Sequence, residues 1–485
     1  MKSETALARK ALVGIIWKFS EKIGSQLMQI LIQIVLARLL LPEEYGLVGL
    51  LAIFINISDV FILQGLTTAL IQKKDADEQD FSSVFLANIV VSLLIYFILF
   101  LIAPLVAQFY KEDSLTSIMR VLSLNVVIGA FAAVHNAILS RNLDFKKSFM
   151  RNISNTITQG IIGITLAVLG FGVWAMVFSK LAGTLVGMGV LWLTVRWRPR
   201  MFFSLTRVKS LFRYSSKVLG TNLLNTIFNN IHSLIIGRYY TAADVGYYQR
   251  GQQIPQSLML SIDGSMTEVL YPVFSKVQGN DEQLKDALRR SIKTSMYVVL
   301  PIMAGLCVVS EPLTLLLLTD KWLPSVPFMQ IQCAICMFWP LSHRSHALNA
   351  MGRSDVTFKL SIIGKCITLG CIFSMLKFGI YALMVGTLLA SFLSFGVTSY
   401  YVNKHLNYSI FELMSDIWKT LISTSLMVVV VWILGEVLSL SLVMSLVVQV
   451  IVGIVTYVLL SVIFKIESFK YILSIVSSFI CKKAK

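Results

Sequence analysis

The segment Lys18-Phe19-Ser20-Glu21-Lys22-Ile23-Gly24-Ser25-Gln26-Leu27-Met28-Gln29-Ile30-Leu31-Ile32-Gln33 decides how this chain is read. It sits inside an apolar run, 11–41, of a length that crosses a bilayer, because about 20 apolar residues rise about 30 Å as a helix. On a wheel of 100° per residue with Lys18 at zero, Gln29 falls at about 20°, Lys22 at about 40°, Gln33 at about 60° and Gln26 at about 80°. Ser25 and Glu21 fall at about −20° and about −60° on the same wheel. These polar groups share one face, and the opposite face is apolar. Inside hydrocarbon, a helix with a charged front must look onto water or a partner.

The chain has 485 residues, 56% hydrophobic and 14% charged. Its mean hydropathy is +0.76, more apolar surface than a soluble core can use, so the fold expected is an all-α polytopic membrane protein. About fourteen spans fit, at 11–40, 44–72, 82–109, 115–140, 149–170, 172–196, 212–238, 244–275, 290–318, 326–351, 357–377, 379–402, 417–438 and 441–464. The net charge of +17 would raise nucleic acid as a partner of a soluble protein. Here the cations gather in alternate loops: Lys73 and Lys74, Arg141 to Arg151, Arg196 to Arg213, and Lys276 to Lys293. The opposite loops are short and poor in cations. With both termini cytoplasmic every basic loop falls inside, so the expectation is an inner-membrane protein and no nucleic acid. No small-residue cleavage site precedes the first span, so no cleavable leader is expected. Residues 467–481 read as a helix on the inner surface, within a basic tail, 466–485. The Cys333-x-x-Cys336 pair lacks a second pair or a nearby ligand His; small buried hydrophobes are expected, with no metal and no cofactor.

An internal repeat organises the spans. A shift of 200 residues lays Ala37-Arg38-x7-Gly46 onto Gly237-Arg238-x7-Gly246, and a shift of 207 lays Phe171-Gly172-Val173-Trp174-Ala175 onto Phe378-Gly379-Ile380-Tyr381-Ala382. Spans 1–6 thus map onto 7–12, giving an N-lobe at 1–206, a C-lobe at 207–406, two further spans at 407–465, and the tail. Six spans per unit is even, so the lobes are parallel copies about an axis along the membrane normal, the geometry of alternating access. Span 7 repeats the polar face of span 1 with Thr221, Asn222, Asn225, Thr226, Asn229, His232 and Ser233. That second face reads as neutral amide and hydroxyl.

Ionisable groups within spans cost about 2.5–3.5 kcal/mol each on the insertion scale and need water, a partner or a function. Lys18 and Lys22, with Glu21 between them, read either as an anion-binding face or as lysines snorkelling to the inner surface. Gln26, Gln29 and Gln33 continue the face where no headgroups lie within reach. Asp59, Asp263 and Glu268 are the acidic candidates for ion coupling, with a salt bridge to a neighbouring cation as the other reading. Asp263 is favoured because Gly264 and Ser265 permit a local break in the helix. Lys180, Arg250, Arg344 and Lys365 are candidates to line a cavity, Arg344 flanked by His343 and His346 after a kink at Pro340. Arg38, Arg120 and Arg238 read as anchors, and His135 and His232 as helix-packing residues. Pro104, Pro255, Pro272 and Pro301 are candidate hinges.

There is no Walker A sequence, no His-Glu-x-x-His and no long external loop of the kind a membrane glycosyltransferase or polymerase needs. The segments Trp17-Lys18-Phe19, Ala37-Arg38-Leu39-Leu40-Leu41-Pro42-Glu43-Glu44-Tyr45-Gly46, Gln64-Gly65-Leu66-Thr67-Thr68-Ala69-Leu70-Ile71-Gln72, Arg141-Asn142-Leu143-Asp144-Phe145 and Gly237-Arg238-Tyr239-Tyr240 to Val245-Gly246-Tyr247-Tyr248 carry a family resemblance. The chain resembles Wzx-type flippases, polysaccharide transporters of the colanic-acid-exporter branch of the multidrug/oligosaccharidyl-lipid/polysaccharide exporter superfamily. That resemblance implies two six-helix lobes plus two helices around a cationic cavity. It implies transport of polyprenyl-diphosphate-linked oligosaccharide between leaflets, coupled to proton or sodium entry, with membrane lipid and other polysaccharide-assembly proteins as partners. No family motif fixes individual ligands. A small-molecule exporter of the same superfamily is the nearest alternative, and a membrane glycosyltransferase or polymerase the alternative of another class.

Overall fold

Apolar runs separated by short polar loops become helices separated by tight turns. The computed structural model describes residues 24–26, 28–277, 279–437 and 441–474, without the side chains of 214, 265, 267–273, 275 and 276. In the first half the helices are α1 (Gly24–Leu39), α2 (Pro42–Gln64), α3 (Leu66–Gln72), α4 (Glu78–Tyr110), α5 (Ser114–Leu122), α6 (Leu124–Asn142), α7 (Phe145–Val168), α8 (Val173–Thr194) and α9 (Leu205–Tyr239). In the second half they are α10 (Ala242–Lys276), α11 (Asp281–Val308), α12 (Ser310–Leu317), α13 (Val326–Cys336), α14 (His343–Ala350), α15 (Ser354–Met375), α16 (Ile380–Leu406), α17 (Ile410–Val437) and α18 (Leu442–Ile463). Among the described residues, nine helical stretches are long and apolar enough to cross a membrane, and the protein is an all-α polytopic membrane protein. Residues 467–474 are helical, and the rest of the expected surface helix lies outside the described residues.

Several spans are broken where the sequence permits it. Span 2 divides at Gly65, whose φ of −78° and ψ of −114° are outside the helical region. Span 10 divides into α13 and α14 through a 3-10 turn, Trp339–Ser342, that carries Pro340. The expected break after Asp263 is absent: α10 runs unbroken through Gly264 and Ser265, and through Pro255 and Pro272. Glycine lowers helix propensity without forbidding a helix, and neighbours make up the difference.

Contacts divide the chain into two units, Met1–Gly246 and Tyr247–Lys485. In the first, α7 and α8 pack along glycines: a Cβ on Gly163 would lie 3.2 Å from Ser179 Cβ, and one on Gly187 would lie 3.4 Å from Asn155 Cβ. Small residues let membrane helices approach closely. His135 is fully buried with its ring 5.0 Å from Trp192 and 5.3 Å from Trp197, as a packing residue. Helix α9, which the repeat assigns to the second lobe, packs on α2, α3 and α4. Gly46 and Gly246, aligned by the repeat, meet: a Cβ on Gly46 would overlap the Ala242 carbonyl, and one on Gly246 would lie 3.3 Å from Gly46 N. The second unit centres on Leu284, Leu288, Ile292, Leu348, Val402 and Leu413, drawn from α11, α14, α16 and α17. Cys333 and Cys336 are fully buried beside Met259, Met303 and Met329, as expected of small hydrophobes.

The basic loops are less free than a charge count implies. In the first unit Asp80, with no exposed surface, holds Lys73 at 2.5 Å and Arg207 at 3.0 Å. Asp77 caps α4 by accepting from the Asp80 N–H at 2.8 Å, and Arg207 lies 2.7 Å from it. The backbone N–H first, and then the Arg207 guanidinium, hold the Asp77 carboxyl below its ordinary 3.8. A carboxyl lowered on folding stabilises the fold above its unfolded value and stops doing so as pH falls through its folded one. The gap in melting temperature between wild type and Asp77→Asn should therefore be constant from about pH 8 to about pH 5 and close below about pH 4, as thermal melts in detergent would read. The gap should be small, because the Asp77 side chain is 50% exposed.

Candidate functional site

Helices α7, α9 and α10 match the nine apolar stretches in length but are too polar to be counted with them. Together with α1 they carry most of the residues expected to meet a wet path. Lys18, Glu21 and Lys22 lie outside the described residues. Of the face they begin, Gln26 and Gln33 are half-buried and Gln29 is exposed. Ile32 and Leu36, in the same angular sector, continue the face as an apolar contact: a Cβ on Gly160 would lie 2.6 Å from Ile32 Cδ1, and one on Gly163 3.5 Å from Leu36 Cδ1. The outer end of the stripe therefore docks on α7.

Helix α7 carries further polar groups toward α8. Asn155 and Gln159 of α7 are joined by a 2.6 Å hydrogen bond from Gln159 Nε2 to Asn155 Oδ1, and both lie against Gly183. Their i, i+4 spacing on a helix was the available signal. Asp59, half-buried on α2, and Lys180 on α8 act on one another electrostatically, so the structure joins an ion-coupling candidate to a cavity candidate.

On α9, Asn222 is half-buried and Asn225 and Asn229 are exposed. Asn56 Nδ2 of α2 donates to Asn230 Oδ1 at 3.2 Å, tying this polar helix to the first unit. The expectation of a neutral face needs correction. Lys217 lies four residues before Thr221 and eight before Asn225, on their face, and is exposed. Both stripes therefore carry cationic charge.

In the second unit, Arg344 is 3% exposed and lines a cavity of about 360 Å³. Its Nε donates to the Leu341 carbonyl at 3.0 Å, its Nη1 to Ser399 Oγ at 2.5 Å, and its guanidinium lies 4.7 Å from the Phe395 ring centroid. The 3-10 turn at Pro340 turns α14 so that Arg344 joins Ser342, Ser345, Ser391, Ser394 and Thr398 on the cavity wall. Ile335, Phe338, Trp339, Leu341 and Phe395 complete the wall, so one guanidinium and five hydroxyls share it with an apolar, aromatic side, a lining that can take oxygens of a phosphate or sugar together with a sugar ring face. Arg250 is elsewhere on α10, 7% exposed, with Nη1 donating to Gln253 Oε1 at 2.6 Å and its guanidinium 5.7 Å from the Trp322 ring. It does not line the Arg344 cavity. Lys365 is half-buried on α15. Asp263 lies 3.5 Å from His343 Nε2, and the side chain of Glu268 lies outside the described residues. Arg120 and Arg238 are anchors: each donates to a backbone carbonyl (Phe100 and Phe109) and covers the same residue's ring, at 4.2 and 5.0 Å.

Residues 35–327 match the family model described as polysaccharide biosynthesis protein. The chain belongs to this family. Among its relatives, the succinoglycan biosynthesis transport protein ExoT of Rhizobium meliloti (strain 1021) is 27% identical over 360 residues, covering 73% of this chain and 72% of that protein. The teichuronic acid biosynthesis protein TuaB of Bacillus subtilis (strain 168) is 26% identical over 62% of this chain and 63% of its own length. The lipopolysaccharide biosynthesis protein WzxC of Escherichia coli (strain K12) is 23% identical, covering 68% and 67%. The fold is that of the lipid II flippase MurJ in an inward closed conformation, with a TM-score of 0.76 at 16% identity over 93% of this chain and 98% of that one. An inward-facing multidrug resistance MATE transporter of the MOP superfamily gives a TM-score of 0.66 at 16% identity over 81% and 98%. Family and fold neighbours alike are membrane transport and polysaccharide-assembly proteins, and this family member is a multi-pass membrane protein.

Proposed function

We propose that the protein moves a polyprenyl-diphosphate-linked oligosaccharide from the inner to the outer leaflet of the bacterial cytoplasmic membrane. It does so by alternating access of two repeat-related lobes, 1–206 and 207–406, with entry of a proton or a sodium ion. Membership of the polysaccharide biosynthesis family carries this reading. Two features of the chain support it physically. The cationic and amide stripe that begins at Lys18 and continues along α1, the stripe on α9, and the Arg344 cavity with its mixed hydroxyl and aromatic wall suit an anionic, hydroxyl-rich headgroup. A cation exporter on the same fold wants acids there instead. No covalent bond is broken in this reading, and both termini lie in the cytoplasm.

The test is deletion of the protein followed by analysis of lipid-linked saccharides. Undecaprenyl-diphosphate oligosaccharide should accumulate in the inner leaflet while surface polysaccharide disappears; normal surface polysaccharide without accumulation removes the reading. Incorporation of labelled sugar by the purified protein would make it an enzyme instead. Replacing Lys18 and Lys22 together by Gln, or Arg344 by Gln, should lower export about tenfold or more with protein still in the membrane, since hydrogen bonds to charged groups are worth about 1.5–3 kcal/mol. Export at wild-type rate in the double lysine variant would return both to snorkelling.

A further inference from the structure

Ser291 of α11, His343 of α14 and Asp263 of α10 stand in a row inside the second unit. Ser291 Oγ and His343 Nδ1 are 2.8 Å apart, and His343 Nε2 and Asp263 Oδ1 are 3.5 Å apart. His343 is 1% exposed. Its Nε2 and the Asp263 Oδ1 are both buried and have no hydrogen-bond partner. Two buried polar atoms facing each other across 3.5 Å, each otherwise unsatisfied, are costly unless a proton is held between them. The contact with Ser291 runs in either direction, according to where the ring carries its proton. With the neutral ring's proton on Nε2, that N–H points at the carboxylate and the Ser291 hydroxyl donates to Nδ1; with it on Nδ1, the Nε2 lone pair confronts the carboxylate. A second proton on the ring makes an imidazolium–carboxylate pair in which Nδ1 donates to Ser291 Oγ.

We propose that Asp263, His343 and Ser291 form the protein's proton-exchange site, taking up one proton on the His343 ring beside Asp263 and returning it as Asp263 moves away. This deepens the ion-coupled flippase reading and rests on it. The alternative of a sodium ion fits the row poorly, because a hard cation wants several oxygens and one of the groups here is an imidazole. No group of three or more His, Cys, Asp or Glu positioned to hold a metal ion occurs among the described residues.

The surroundings explain why one proton would matter. Three elements meet at the row. From α14 come His346, its ring 6.4 Å from His343, and Arg344, which lines the cavity. From α11 comes Ser295, whose buried hydroxyl has no partner. From α10 comes Asp263, which also acts on His346. Further along, Arg344 and Tyr408 act on each other, and Tyr408 donates to Asp416 within the Arg289 and Lys293 cluster. Arg344 is the residue next to His343 on a helix of eight residues, and with Leu341, Ser342 and Ser345 it lines the adjoining cavity. Moving α10 against α14 would therefore change the proton occupancy of His343 and the seat of Arg344 together.

The test uses the full chain in proteoliposomes with a labelled polyprenyl-diphosphate disaccharide, and the same chain with [15N]histidine in nanodiscs. With five histidines, the His343 signals can be assigned by their loss in His343→Gln. At one and the same pH they should show imidazolium in wild type and a neutral ring in Asp263→Asn, because only the wild type offers the charged ring a carboxylate. The ratio of flipping with an imposed pH gradient to flipping without one should exceed one in wild type and fall to one in Asp263→Asn and His343→Gln. Stimulation retained in Asp263→Asn, stimulation by sodium instead of pH, or histidine signals unchanged by the Asp263 substitution would each overturn the proposal. If wild type flips no saccharide lipid, the transport reading fails, and the histidine signals alone then decide for or against the proton site.

Discussion

Gly46→Ala should cost about 3 kcal/mol or more of stability, although alanine is the better helix former by about 1 kcal/mol. The clash outweighs the propensity because of what the new methyl meets. It would overlap the backbone carbonyl of Ala242, a group no rotamer change can move. Gly246→Ala should behave alike, since its Cβ would overlap the Pro42 carbonyl. Gly129→Ala is the control: nothing lies within 4 Å of its Cβ, so it should be neutral or slightly stabilising. Melting temperatures of the three purified variants in detergent check this. Equal melting of Gly46→Ala and Gly129→Ala would mean that the first turns of α2 and α10 do not cross backbone to backbone.

Asp416→Ala should destabilise the second unit by about 2–3 kcal/mol, the cost of taking a buried acceptor away from the part-buried Arg289 and Lys293 and from the Tyr408 hydroxyl. Asp416 is 3% exposed and receives Arg289 through two 2.8 Å hydrogen bonds, Lys293 at 3.1 Å and the Tyr408 hydroxyl at 2.9 Å. It thereby fixes α17 to α11. Glu467, which also pairs with Lys293 at 3.2 Å, is 84% exposed, and Glu467→Ala should cost at most about 1 kcal/mol. The contrast between two acids on one lysine, read by thermal melts, separates burial from charge. Similar melting of both variants would show that the Asp416 cluster is solvated.

Helix positions were legible because hydrocarbon forces them: spans read from apolar runs coincide with helices in both units. The anchoring roles of Arg120 and Arg238 were legible from their places at span ends. Ion pairing was not. The positive-inside rule counts Lys73, Arg207, Arg289 and Lys293 as solvent-facing charge, whereas Asp80 and Asp416 bury against them through contacts more than 100 residues apart for three of the four. Nothing in a one-dimensional pattern says which acid such a cation will meet. Lys217 was not legible from the repeat, because a shift of 200 residues lays it onto Trp17 rather than onto a charged residue of the first helix. The row of Ser291, His343 and Asp263 was half legible. The residues were singled out, but Asp263 for a helix break that α10 does not make.

The joining of α9 to α2, by the Asn56–Asn230 hydrogen bond and the packing on α3 and α4, bears on how the chain is made. Synthesis delivers α2 long before α9, with α3 to α8 emerging between them. During that interval the amide of Asn56 waits in the bilayer without the partner that will take it. Helix α9 is itself too polar to enter lipid comfortably alone, so its arrival at α2 resolves two problems at once. The first unit is thus completed by a helix translated after eight others, and a nascent chain halted before Tyr239 is an unfinished one.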